Sequence, residues 1–136
     1  MIRTLRKSLL ASALASLTFP AFAGEMAALQ DFRDVDLPSI AISGRGPFAL
    51  IDEFLSHVDT DADAEDVDVE VEAAETDDGF VVDIRLRGYK DDSLLGEDFR
   101  LVLDKTDGRY FIARAGVQYV CARGANAGKA QPDYCP

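Results

Sequence analysis

The chain has 136 residues, 48% of them hydrophobic and 29% charged, with 25 acidic against 14 basic side chains and a formal net charge of −11. So acidic a surface repels phosphate backbones and anionic lipid head groups, which argues against nucleic acid and membrane-surface partners and leaves cations and basic proteins. The length suits one domain with a single modest core.

Residues 1–23, "MIRTLRKSLLASALASLTFPAFA", carry Arg3, Arg6 and Lys7, then an apolar run from Ser8 to Phe19, then Ala21-Phe22-Ala23. This is the pattern of a secretory signal with a small-x-small cleavage site, and it predicts cleavage before Gly24. A permanent anchor needs about 20 apolar residues in one span; this run is shorter and holds Ser, Thr and Pro. The expectation is export, to periplasm or medium, with no stable membrane anchor afterwards. Losing Arg3, Arg6 and Lys7 takes the net charge from −11 to −14.

Residues 24–45 show little periodicity and are expected to be partly ordered: "EMAALQDF" fits a short helix, and "RDVDLPSIAISG" an extended segment broken at Pro38. From 46 the pattern sharpens. Pro47 suits the first position of a helix, where its missing N–H costs nothing. Phe48, Ile51, Phe54, Leu55 and Val58 then recur at helical spacing, predicting an amphipathic helix of about three turns.

Residues 59–78 hold eleven acidic side chains and no basic one. Within them the period changes to two, with Val67, Val69, Val71 and Ala73 on one face and Asp68, Glu70 and Glu72 on the other, the mark of a half-buried strand. "DDG" at 77–79 predicts a tight turn into "FVVDIRLRG". With Asp78-Gly79 as the loop, Glu72 stands opposite Arg85 and Glu70 opposite Arg87, complementary cross-strand pairs. "EDFRLVLD", the turn "KTDG" and "RYFIARAGVQYVCAR" complete a meander, with Gly116 read as a bulge that swaps the faces of the last strand.

The two cysteines, Cys121 and Cys135, both fall in the last sixteen residues. An exported chain permits a disulfide, and the residues between them, "ARGANAGKAQPDY", are too poor in bulky side chains to form a core. The expectation is a structural staple that ties the tail back along the last strand, its loop closure worth roughly 3 kcal/mol.

The predicted class is α+β: one main amphipathic helix packed on a four-stranded antiparallel meander over residues 46–136. A helix followed by a meander is similar to the cystatin-like or nuclear-transport-factor-like layout, a likeness of element order that implies no activity. The ending "VQYVCARG…C" resembles that of small exported bacterial proteins, which implies export and brings no activity with it.

Three functions remain open. "DTDADAEDVDVE" offers Asp59, Asp61, Asp63 and Glu70 at the side-chain ligand positions of a calcium loop. It departs from that pattern at Ala64, where the sharp turn wants glycine, and at Asp66, where an apolar residue joins the core. His57, the single histidine, adjoins Ser56, but neighbours on a helix point apart, and no other nucleophile, base and orienting group stand together. The leading expectation is therefore no enzyme and no cofactor: a binding or accessory domain, with a basic protein as partner. A calcium-stabilised domain is the second reading, and a small-ligand or hydrolytic pocket between helix and sheet is the third.

Overall fold

A computed structural model describes residues 28–37, 43–44, 46–58 and 67–136. The expected signal segment 1–23 lies outside them. The predicted helix on a four-stranded meander is corrected: the protein is mostly β. Among the described residues, seven antiparallel strands form one sheet beside a short helix, α1 (Pro47–His57), and the cystatin-like and nuclear-transport-factor-like layouts fall with that prediction. Four strands are long: β3 (Asp68–Glu75), β4 (Gly79–Arg87), β5 (Leu94–Thr106) and β6 (Arg109–Cys121). Three are two residues each: β1 (Arg33–Asp34), β2 (Ser43–Gly44) and β7 (Ala130–Gln131).

All three short strands pair with β6 along one edge. Their partners are Phe111 and Tyr110 for β2, Val117 and Gly116 for β1, and Tyr119 and Val120 for β7. A pair of residues has no alternation to read, which is why these strands leave no mark on the sequence pattern. The path through the long strands is β6-β5-β4-β3, so β3 is the opposite edge.

One face of the sheet carries the core. Val82, Ile84, Leu86, Phe99, Leu101, Leu103, Ile112, Ala115 and Val117 meet Leu50, Ile51 and Phe54 of α1, and Phe54 stands edge-on to Phe99 with ring centroids 5.5 Å apart. The buried stripe of the helix includes Leu50, while Phe48 is exposed. Gly46 precedes Pro47 in extended conformation with no side-chain cap, and the helix closes with Val58 N–H donating to Phe54 O (3.1 Å).

Two bulges shape the long strands. Between β5 and β6 the register slips at Ala113, so Ile112 and then Ala115, Val117 and Tyr119 face the core; this slip, not Gly116, swaps the faces. Gly116 is there for space: a Cβ would lie 2.6 Å from Phe32 Cβ, where residues 28–34 cross the sheet. The second slip, at Leu95, conceals the start of β5 in a stretch that reads as polar connection.

The two Asp-Gly turns differ. Within the turn expected at 105–108, Asp107 (φ 51°) and Gly108 (φ 74°) form a two-residue loop with both residues left-handed. In the other, Glu75 pairs with Phe80 and Thr76 N–H donates to Gly79 O (3.0 Å), so the loop is Asp77-Asp78. The register therefore moves by two from the expected one: Glu70 faces Arg85, Asp68 faces Arg87, and Glu72 faces Asp83. Gly79 has already joined β4, and a Cβ there would overlap the Leu103 carbonyl of β5.

The disulfide Cys121–Cys135 is formed, with Cα atoms 5.3 Å apart. Gly128 N–H donates to Cys121 O (2.8 Å), and β7 lies antiparallel on Tyr119 and Val120.

Two outcomes follow for stability in urea. Gly79→Ala sets side chain against the packed β5 backbone and costs about 3 kcal/mol, whereas Gly116→Ala meets Phe32 Cβ, lifts the crossing segment at Phe32 and costs about 2 kcal/mol. Replacing both cysteines by alanine lowers stability by roughly 3 kcal/mol and speeds amide exchange in residues 122–136 before the rest of the sheet.

Candidate functional site

The face of the sheet opposite α1 is charged, and the register explains its order. Successive rows across β3, β4 and β5 read Glu72–Asp83–Arg100, Glu70–Arg85–Asp98 and Asp68–Arg87–Gly96. Arg85 reaches both Glu70 (3.2 Å) and Glu72 (2.9 Å). Those two hydrogen bonds, Glu70 first, hold its guanidinium above the ordinary arginine range. Arg87 pairs with Asp98 (2.6 Å), and Arg114 with Asp34 of β1 (2.9 Å).

Arg100 is the centre of this face. Its Nε and Nη2 donate to the two oxygens of Asp83 at 2.6 and 2.8 Å, a bidentate fork that raises its pKa against the opposing effect of burial. Its Nη1 donates to Ala28 O (3.1 Å), and its guanidinium lies 4.8 Å from the Phe32 ring centroid. With Gln118 donating to Asp31 O (2.7 Å), these contacts fasten residues 28–34 across the sheet. Each of Arg85, Arg87, Arg100 and Arg114 is thus committed to an acid.

The edge strand β3 is different. It carries Asp68, Glu70, Glu72 and Glu75 with no basic residue, and seven of its eight residues are exposed. On its other face Val71 reaches the core margin, but Val69 is 54% exposed, because α1 lies against β2 and β6 at the far side of the sheet.

At the opposite end lies a tyrosine cluster that sequence reading missed. Glu97 is only 6% exposed and accepts a hydrogen bond from Tyr89 Oη (2.7 Å). Tyr119 packs beside Tyr134 with centroids 4.9 Å apart, and Arg33 of β1 stacks 4.2 Å from the Tyr134 ring centroid. Burial first, then the hydrogen bond with Tyr134, pushes the Tyr119 phenol up to about 12. The available signal was parity: Glu97 shares its phase with Phe99, Leu101 and Leu103, so an acid stood at a core-facing position.

Of the calcium-loop residues, Asp59, Asp61 and Asp63 lie outside the described residues, and Glu70 lies on β3 against Arg85. No group of three or more metal-ligating side chains occurs among the described residues. Ser56 and His57 do approach, Oγ to Nδ1 at 3.2 Å, against the expectation that they point apart. Both turn to one carbonyl, however. Ser56 donates to Glu53 O (2.7 Å), and His57 Nδ1 lies 2.7 Å from the same oxygen, a contact that requires Nδ1 to carry its proton. A nitrogen so engaged accepts nothing from Ser56. Between helix and sheet, Leu50, Ile51 and Phe54 are buried in the core.

No helix of the described residues is long and apolar enough to cross a membrane. No protein-family model, curated protein or solved structure matches this chain.

The tyrosine cluster sets a pH dependence. Tyr119 titrates at about 12 in the folded protein against 10.0 ordinarily, so the unfolded chain loses that proton first. Its contribution is complete below pH 10 and is lost as pH rises through about 12. Melting temperature measured across this interval falls with pH, and Tyr119→Phe makes the fall shallower.

Proposed function

We propose that this chain is a small exported, non-enzymatic binding or accessory domain whose partner is a cationic protein. The observation that carries the reading is the distribution of charge. The four arginines of the central sheet face are each held in ion pairs, while the exposed strand β3 presents four acids and no base. The arginines of that face form an internal framework, and β3 sets a run of exposed acids, two of them sharing Arg85, along one sheet edge, where a basic partner gains Coulomb attraction without breaking the sheet.

Several features support the remaining terms. The disulfide fits an oxidising compartment, in keeping with the signal-like residues 1–23. The non-enzymatic term is supported by the apolar character of the residues buried beneath α1, Leu50, Ile51 and Phe54, and by the commitment of Ser56 and His57 to Glu53 O. The buried Glu97 and Tyr89 serve one another beneath the tail.

The test is calorimetric titration with a lysine-rich peptide at low salt, comparing two variants that each remove two charges. Glu70→Gln with Glu72→Gln weakens binding about tenfold or more, and Asp52→Asn with Glu53→Gln on α1 weakens it less than about threefold. Equal losses in the two variants, or no binding to the unaltered chain, overturn the reading.

A further inference from the structure

We propose that the outer edge of β3 is a strand-addition site, occupied by an extended segment of a protein in which basic residues alternate with apolar ones. The proposal rests on the cationic-partner reading above and states where and in what conformation that partner is held.

The first observation is the asymmetry of the two edges. β6 is closed along its outer side by β2, β1 and β7, three short pieces drawn from both ends of the described chain. Among the described residues nothing pairs with the outer side of β3. Edge strands are ordinarily blunted by shortness, proline, a bulge or charged side chains. β3 uses only the last of these, four acids that repel another acidic strand and attract a basic one: it is eight residues long, "DVEVEAAE", and pairs with β4 from Asp68 to Glu75 without a register shift.

The second observation is which groups face outward. Thr76 N–H donates to Gly79 O, making these two residues a hydrogen-bonded pair. In an antiparallel ladder such pairs alternate with non-bonded ones. Counting back along the unbroken register, Val69, Val71, Ala73 and Glu75 direct their main-chain N–H and C=O groups away from β4. An added strand takes its hydrogen bonds from these residues.

The third observation selects the occupant. Side chains across from Glu70 and Glu72 fall on the charged face, and basic groups there meet two exposed carboxylates, Glu70 and Glu72, that share the single guanidinium of Arg85. Side chains across from Val69, Val71 and Ala73 fall on the apolar face, where they cover the exposed Val69 and extend the core margin at Val71. The partner's pattern is therefore basic–apolar with period two. A second copy of β3 does not fit, because it carries no base and sets acid beside acid across the charged face.

The experiment uses the oxidised full chain, isotopically labelled, and two acetylated and amidated octapeptides of equal composition: one alternating Lys with Val, the other with four Lys followed by four Val. The alternating peptide is expected to bind about tenfold more tightly and to slow amide exchange at Val69, Val71 and Ala73. Val69→Pro removes an outward N–H while sparing the ladder to β4, and it abolishes that preference. N-methylation of alternate peptide residues along one edge abolishes it as well, with the protein unaltered. Equal affinity for the two peptides overturns strand addition and leaves the cationic-partner reading standing; failure of both to bind overturns both. Dimerisation of the chain with protection of the same amides, in the absence of peptide, overturns the proposal in favour of a second copy.

Discussion

A sheet has two faces, and the described eleven-residue helix lies against only one of them. That difference between the faces governs the rest of the structure. The core face takes α1 and buries its aliphatic side chains, each fully buried one worth about 1.5–3 kcal/mol, and this is where stability resides. The other face is finished with charge, row by row, and with residues 28–34 laid across it. Half-exposed ion pairs of this kind add little individually. Arg100 does more, because one guanidinium satisfies Asp83, accepts the Phe32 ring as a lid and holds Ala28 by its carbonyl. It joins a polar face to a chain segment distant in sequence.

Much of this was legible where a period persists. The helix from Pro47, the strands over 80–87 and up to Cys121, a turn within 105–108 and the disulfide all follow from spacing and residue type. The register of β3 against β4 was not legible, for a definite reason. Acids at 68, 70 and 72 repeat every two residues, so a slip of two positions keeps every face and still sets acids across from Arg85 and Arg87. Charge is degenerate under that slip, and the loop decides. The Gly79 that suggested the loop is in fact the place where β4 comes too close to β5 for any side chain.

The fold class was misjudged because the decisive strands are too short to have a pattern. Arg33–Asp34, Ser43–Gly44 and Ala130–Gln131 are strands by virtue of what they lie against, the long free edge of β6. Similarly, the tyrosine cluster is assembled from Arg33, Tyr89, Tyr119 and Tyr134, which share no local motif. Of the candidate site, the acidic alternation of β3 could be read directly; that it forms an edge, with Val69 left uncovered, depended on where α1 settled.

The closure of β6 also divides the sheet by sequence separation. Arg33 lies on the order of 80 residues from its partner Val117, while β3 to β6 pair with their immediate neighbours. The meander is therefore held by contacts between successive segments, and the outer flank of β6 by contacts between distant ones. On that flank Arg33 stacks on Tyr134, which itself packs beside Tyr119. Loosening the disulfide-tied tail therefore loosens Arg33 as well, a coupling between distant parts of the chain that does not pass through the meander.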